Sequence, residues 1–346
     1  MDNILIDFAD SKHKRLEAAH SYKKFVCAAA LEAGFSRARI LSPFNPEKFR
    51  PKNSPPLPEN YYQAAASIIV CALPYGNQHE NTPALPGTGV CKAGIIAPFA
   101  RFNYYREAVK RMKSLSLLLR TRFGGLKGDY RIFCNSPIPE KPIAAASGLG
   151  VAGKNSLIIS PEAGSLFIIA AMTLPVPLEA DPPLGPPPDA ENALSETYAI
   201  PPHGSPPLRF TLCEKCGHSP PCAAACPTGA ALGTGIIDQS KCIQWYASGN
   251  GVSTDTPLPD FVLAAWGNRL YGCSACQDAC MHNKRPIQGV QTTEGALPAF
   301  IDVYGLLKLS DEEIKAMFKG TALGLSWLGP QAIRRNAEAV LMGLSR

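Results

Sequence analysis

Two dense cysteine runs in the C-terminal half restrict this 346-residue chain more than any other feature. The first is Cys213-Glu-Lys-Cys216-Gly-His-Ser-Pro-Pro-Cys222-Ala-Ala-Ala-Cys226-Pro227, and the second is Cys242 followed by Gly272-Cys273-Ser-Ala-Cys276-Gln-Asp-Ala-Cys280. Soft thiolates at short, loop-compatible separations converge on one centre. In two-cluster ferredoxin modules three cysteines of a run bind one cube, and the fourth, before proline, crosses to the other. Two four-iron clusters need eight thiolates, and these runs hold eight. Structural zinc is the competing reading of paired CxxC units, and two zinc sites would use the same number. The Cys226-Pro-Thr-Gly segment after a three-residue gap, together with the isolated Cys242, favours clusters. One irregularity is the Gly-His-Ser-Pro-Pro insert between Cys216 and Cys222, which has to loop out and which brings His218 beside the thiols.

The chain has twelve cysteines in all, but their clustering and the chain's length argue against a secreted disulfide scaffold. Hydrophobic residues make up 46% and charged residues 18%, so a globular protein of two domains is expected and a disordered one is excluded. The formal charge of +6 is a mild basic excess that carries little weight alone. The N-terminus has no basic segment followed by an apolar core, and no apolar run reaches the ~18–20 residues of a membrane span. A cytoplasmic, reducing compartment is the expectation.

Residues 12–34 show helical periodicity ended by Gly34. Ser67–Tyr75 is strand-like, Asn103–Arg122 is an amphipathic helix with a basic face, and Tyr130–Cys134 reads as a strand. Ser156–Ser160 and Leu166–Thr173 read as a hairpin turning through Pro161-Glu-Ala-Gly164. The alternation predicts an α/β (α+β) domain over 1–173. A proline-rich linker follows over 174–207, read first as a spacer and second as a lid. The ferredoxin-like double-cluster domain spans 208–290, and a short helical C-terminal segment, 291–346, includes helices at Ser310–Phe318 and Pro330–Leu344.

A glycine-rich segment, Gly148-Leu-Gly150-Val-Ala-Gly153-Lys154-Asn155-Ser156, has Gly164-Ser165 close after it. Its GxGxxG spacing suggests a backbone approached closely by a ligand, with Lys154 available to an anion. It precedes a strand-like run instead of opening a helix, so it fits a Rossmann dinucleotide site poorly. A structural turn is the plainer alternative.

These segments, with Gly267-Asn-Arg-Leu-Tyr-Gly-Cys273 and the late Arg335-Asn336, resemble the epoxyqueuosine reductase family nearly end to end, and more loosely the reductive dehalogenases. The resemblance implies a cobalamin beside two [4Fe-4S] clusters and reduction of epoxyqueuosine to queuosine at the tRNA wobble position. By motif, Cys213, Cys216, Cys222 and Cys280 would hold one cluster. Cys226, Cys242, Cys273 and Cys276 would hold the one nearer the corrin. Gly148, Gly150, Gly153, Lys154, Asn155 and Ser165 would line the cobalamin. The implied partners are a tRNA anticodon stem-loop and an external donor such as flavodoxin or ferredoxin, with the chain acting as a monomer off the membrane.

Three departures stand out. The family's acid, in a segment of the form Val-Asp-x-x-Pro-x-x-Glu, matches Cys134 in Phe133-Cys134-Asn-Ser-Pro137-Ile-Pro-Glu140. A family Asp-Tyr-His triplet matches Tyr104-Tyr105-Arg106, and Met281 follows Cys280 where proline is usual. A thiol is protonated at neutral pH, so Cys134 is the candidate catalytic proton donor, or a thiolate ligand or nucleophile, with a buried strand-end cysteine as the alternative. Cys27, Cys71 and Cys91 are read as core or loop thiols. For an RNA substrate, Arg101, Tyr104, Tyr105, Arg106, Lys110, Arg111 and Lys113 form a basic–aromatic strip, joined by Arg334 and Arg335 near the tail. Two rival functions remain at this stage: a cobalamin and iron–sulfur reductase of a small molecule, and an electron-transfer protein without corrinoid.

Overall fold

The computed structural model describes residues 18–42, 65–76, 92–185, 213–249, 257–324 and 328–343. In chain order the first half contains α1 (18–32), β1 (Arg37–Leu41), β2 (Ser67–Pro74), β3 (Ala93–Ile96), α2 (Tyr104–Phe123), β4 (Ile132–Phe133) and α3 (Glu140–Ala146). Then come β5 (Val151–Ala152), β6 (Ile158–Ile159), β7 (Phe167–Leu174), α4 (Pro221–Ala224), α5 (Ile243–Ala247) and α6 (Asp260–Ala264). The last part holds β8 (Arg269–Tyr271), α7 (Ala275–Asp278), β9 (Phe300–Asp302), α8 (Val303–Lys308), α9 (Asp311–Phe318) and α10 (Pro330–Gly343).

The first core forms on an antiparallel sheet of order β1-β2-β7-β4. Strand β2, Ser-Ile-Ile-Val-Cys-Ala-Leu-Pro, is buried at every position, as a continuous apolar strand flanked by two partners and covered on both faces should be. Helix α2 covers the sheet with Tyr104, Ala108, Met112, Leu115 and Leu119, an i, i+4, i+3 spacing that makes one buried stripe. Its start is set by Asn103, whose side-chain oxygen accepts the Arg106 N–H at 3.1 Å. Gly124, at φ 73°, ends it. The predicted strands at 67–75 and 130–134 and the helix at 103–122 are present within a few residues.

The hairpin expected from 156 to 173 is not. Strand β6 pairs with β5, while β7 lies between β2 and β4, so the two segments belong to different sheets joined only by a bridge at Ser160–Gly164. Adjacent strand-like runs invite a hairpin, but the fully apolar β7 gains more by burying both faces inside the larger sheet.

The expected division at 173 also fails. Strand β3 runs parallel to β8 and antiparallel to β9, so residues 93–96 are central to a sheet whose other strands lie beyond 268. A second core unites Ile96 and Ala100 with Trp266, Leu270, Ile301, Phe318, Ile333 and Val340. Helices α8–α10 are therefore structural partners of the segment 243–271, not an appendage. Burying each large apolar side chain contributes roughly 1.5–3 kcal/mol, which holds α10 firmly in place.

The start of the predicted linker is docked. Asp181 accepts the Ile40 N–H at 2.7 Å and pairs with Lys23 at 2.9 Å and Arg39 at 3.3 Å. The spacer or lid expected from 186 to 207 lies outside the described residues, as does Cys91. Cys71 is wholly buried in β2 and Cys27 is half-buried on α1. Among the described residues no helix is long and apolar enough to cross a membrane.

Candidate functional site

A cavity of about 660 Å³ opens between the two cores. That is the size of a site for a large organic ligand. Its lining includes Cys226, Cys242, Cys273 and Cys276 with Gln244 and Trp245, and also Asn155, Ser156, Ser165 and Phe167. Tyr105, Asn135 and Lys141 complete the rim.

The eight thiols form two groups in space. Cys213 lies within electrostatic reach of Cys216 and Cys222, and Cys280 within reach of Cys213, Cys216 and Cys222. Cys242 senses Cys273 and Cys226, and Cys276 senses all three. Only the second group faces the cavity. Burial, reinforced by Cys273, Cys242 and Cys226, pushes the Cys276 thiol up to about 12. Massing four such groups is costly unless a cationic centre accepts their thiolates. Among the described residues, no three His, Cys, Asp or Glu side chains are gathered as ligands of a single ion would be. Backbone donors approach the sulfurs: Lys154 N–H to Cys213 Sγ and Ala231 N–H to Cys226 Sγ, both at 3.4 Å. The Gly-His-Ser-Pro-Pro insert loops outward as expected, with His218 exposed.

Of the residues expected around a cofactor, Asn155 and Ser165 line the cavity and the rest do not. The glycines are required by the chain's own close packing. A Cβ on Gly148, which sits at φ 69°, would lie 2.2 Å from the Pro182 carbonyl oxygen. One on Gly150 would lie 2.6 Å from the Ile159 carbonyl oxygen, and one on Gly153 2.7 Å from that of Leu157. The motif therefore marks tight turns that present Asn155, not a backbone laid against a ligand. Lys154 turns away as well, its ammonium donating to the Gly217 carbonyl beside the first cysteine run.

Ser165 and the second cysteine run are joined by a buried network. Asn283 Oδ1 accepts the Ser165 N–H, and its Nδ2 donates to Ser165 Oγ and to the Gln277 carbonyl, each at 2.9 Å. Gln277 Nε2 donates to Tyr75 Oη at 2.7 Å and to the Ser165 carbonyl at 2.8 Å.

Cys134 is half-buried and is not among the residues lining the cavity; its thiol approaches the Tyr105 carbonyl at 4.0 Å. Burial first, and the Glu140 carboxyl second, hold that thiol firmly protonated. The cavity instead meets the next residue, Asn135, at φ 53°, a left-handed conformation that asparagine tolerates better than most. Behind this loop Glu140 accepts the Ser136 N–H at 3.0 Å, yet burial pushes its carboxyl up to about 7. Beside it the Lys141 ammonium, which lines the cavity, is lowered by burial, with Cys242, Cys276 and Glu140 opposing. Sequence reasoning did not single out Glu140 as a titrating group, nor Lys141 or Gln244. The Pro-x-x-Glu-Lys stretch at a helix start was the available signal.

The basic–aromatic strip is mostly consumed internally. Tyr104 and Arg101 are buried, Arg111 pairs with Glu107 at 2.7 Å, and Arg334 with Asp311 at 2.9 Å. Arg335 is buried against the Tyr246 carbonyl. Arg106 and Lys110 are exposed and share Glu294, and Lys113 is exposed.

Residues 212–283 match the model of a 4Fe-4S double cluster binding domain, so this region carries two [4Fe-4S] clusters. The chain is 25% identical to the epoxyqueuosine reductase of Staphylococcus aureus over 339 residues, covering 96% of this chain and 73% of that protein. It is 26% identical to the Bacillus subtilis enzyme over 80% of this chain and 63% of that one. The Aliivibrio fischeri enzyme is 33% identical, over 53% of this chain and 40% of that one. The chain thus spans less than two thirds of several of these relatives. Its fold matches the Bacillus subtilis structure, whose catalytic aspartate loop is swung out of the active site, with a TM-score of 0.72 at 24% identity, covering 93% of this chain and 81% of that one. It also matches an epoxyqueuosine reductase holding a modified tRNA-Tyr stem loop, with a TM-score of 0.71 at 24% identity, over 93% of this chain and 81% of that one. Along nearly its whole length and in its double-cluster segment this chain is similar in sequence to the epoxyqueuosine reductases, and it shares their fold.

Proposed function

We propose that the chain is a cobalamin-dependent iron–sulfur oxidoreductase that reduces epoxyqueuosine to queuosine in tRNA. The observation that carries this reading is a single cavity lined by Cys226, Cys242, Cys273 and Cys276 together with Asn155 and Ser165. We assign these four cysteines to the inner cluster and Cys213, Cys216, Cys222 and Cys280 to the outer one.

The residues present fit a corrinoid. Asn155 is 2% exposed, faces the cavity, and its Nδ2 has no partner within the protein, a costly state that a polar rim of a bound cofactor would relieve. Phe167, Ile168, Ile237 and Ile243 supply apolar wall for a flat macrocycle. Cobalamin, when bound, would supply a low-valent cobalt centre to the epoxide. The protein's own part is to exclude water, orient the substrate and deliver protons. Tyr105 and Lys141 are the polar groups on the cavity rim suited to orientation. The loop from Cys134 to Glu140 holds the protons: one on the Cys134 thiol and one on the Glu140 carboxyl, which titrates near neutrality. A cytoplasmic monomer that docks an anticodon stem-loop through Arg106, Lys110 and Lys113 completes the reading.

Anaerobic purification with iron and cobalt analysis, followed by turnover of an epoxyqueuosine stem-loop, tests it. Cluster-loaded protein that never takes up hydroxocobalamin would sink the corrinoid assignment. Cys134→Asp restores the family's acid, and turnover should rise about 10²-fold, the lower end of the usual range for a positioned general acid. A second reading, reduction of a small molecule on the same centres, is favoured by the internal pairing of most of the basic strip. Absence of stem-loop turnover by both forms, with corrinoid bound, would select it.

A further inference from the structure

The two thiol groups face different surroundings. The inner group opens on the cavity; the outer group of Cys213, Cys216, Cys222 and Cys280 does not, and its loops reach the surface. Glu214, Lys215 and the Gly217–Ser219 insert are exposed, and so are Met281, Lys284 and Arg285 just after Cys280. The cations gather at this one place. Lys154 donates to the Gly217 carbonyl, Arg285 to the Pro161 carbonyl, and Lys284 to the Asp278 carbonyl at 2.9 Å. His282, between the last two loops, lies within the electrostatic reach of both Lys215 and Arg285. The nearby carboxylates do not match this charge. Glu162 is paired with Arg37 at 2.5 Å, so Asp278, which accepts from the Ser274 hydroxyl at 2.8 Å, and Glu214 are two carboxylates set against Lys154, Lys215, Lys284 and Arg285.

Among the described residues, the cavity that Lys284 lines with Tyr75, Pro98, Ser274, Asp278 and Asn283 is about 140 Å³. A nicotinamide dinucleotide needs a pocket of a few hundred Å³ at least, whereas a redox centre carried on another macromolecule needs only a surface. An exposed apolar side chain, Met281, next to His282 (which lies within reach of Lys215 and Arg285) and just ahead of Lys284 and Arg285 in the chain, has the make-up of a small, transient redox interface.

We propose that the rim formed by Lys154, Lys215, Lys284, Arg285 and Met281 over the outer thiol group is the docking surface for a small acidic one-electron carrier protein. The inference rests on the two-cluster part of the functional reading and is independent of the corrinoid and of the RNA substrate. The step transfers one electron from the reduced carrier to the oxidised outer cluster, with no bond made or broken; the carrier leaves oxidised and the cluster stays reduced by one electron. A second turn of the same surface supplies the second electron of a two-electron reduction.

Stopped-flow reduction of the cluster-loaded protein, with neither corrinoid nor tRNA present, reads this step alone. The probe is a reduced, strongly acidic flavodoxin, and dithionite serves as a small reductant that needs no docking. Lys215→Glu combined with Arg285→Glu should slow reduction by flavodoxin at least about tenfold, the lower end of electrostatic steering, and leave the dithionite rate unchanged. The unaltered protein should also lose flavodoxin rate steeply between about 0.02 and 0.3 M salt. Equal rates for the double variant and its parent, or a salt-insensitive rate, would overturn the proposal. If the double variant loses iron, Lys284→Glu and the salt series decide by the same criteria. A chain that accepts electrons this way yet never reduces epoxyqueuosine keeps the docking surface and loses the substrate.

Discussion

The Asn283 clasp sets the relation between the second cysteine run and the cavity wall, and truncating it gives the most quantitative test of the structure. In Asn283→Ala three bonds of 2.9 Å vanish at once. The Gln277 carbonyl and the Ser165 N–H lose their Asn283 partner where water does not reach; Ser165 Oγ keeps Gln277 Nε2 at 3.4 Å. Each lost bond costs about 1 kcal/mol net, and a buried donor left unsatisfied adds about 1–3 kcal/mol. The sum is about 4–6 kcal/mol, which for a chain of this length lowers the midpoint by roughly 5–8 °C. Anaerobic thermal scans of cluster-loaded protein measure it. Asn283→Asp separates hydrogen bonding from packing: it keeps the volume and the acceptor for Ser165 N–H, but turns a second acceptor toward the Gln277 carbonyl. It should lose at least as much. A loss below about 0.5 kcal/mol in the alanine variant, or an unperturbed aspartate variant, would refute the idea that this network holds the two halves together.

Two further outcomes follow from charges buried elsewhere. Glu140, raised to about 7 in the folded chain from an ordinary 4.5, contributes stability fully present below about 4.5 and lost as pH rises through about 7. Glu140→Gln should remove this dependence, so its stability relative to the parent rises by about 2 kcal/mol between about pH 5.5 and 8.5 in denaturant titrations; a flat difference would contradict the buried acid. Asp181→Asn weakens the anchor that binds the start of the proline-rich stretch to Lys23 and Arg39. It should cost about 2–3 kcal/mol and make the chain near residue 181 more sensitive to limited proteolysis, with unchanged cleavage as the contrary result.

What was legible in the chain was local chemistry. Thiolates at ligand spacing announce themselves because cluster binding needs them close in sequence, and α2 announces itself through one apolar stripe and the Asn103 cap. Pairing partners were not legible. The four residues of β3 carry no mark that their neighbours are β8 and β9, nearly two hundred residues away, and β7 was assigned to its sequence neighbour instead of to β2. The glycine segment misled for a physical reason. A missing Cβ reports that something approaches closely, but not whether that is a ligand or, as at Gly148 and Gly150, the chain's own carbonyls. Lys141 and Tyr105 reach the cavity through tertiary packing, which no local spacing encodes.

The electron and proton halves of the site have diverged to different degrees. Eight thiols are present, and Cys226, Cys242, Cys273 and Cys276 line the cavity, as the electron route of the proposed function requires. The proton side is rebuilt. At the position of the family's aspartate stands a thiol held protonated by burial, turned to the Tyr105 carbonyl, and backed by a carboxyl that itself keeps its proton to about 7. The Glu140 carboxyl adds to burial in keeping the thiol protonated, while burial raises Glu140 itself. A thiol so strongly protonated donates slowly, whereas a carboxyl near 7 is matched to the medium. Under the proposed function, Glu140 is therefore the group in this loop better matched to proton delivery. For its proton to reach the cavity, the segment of Cys134 and Asn135 in front of it has to move or relay.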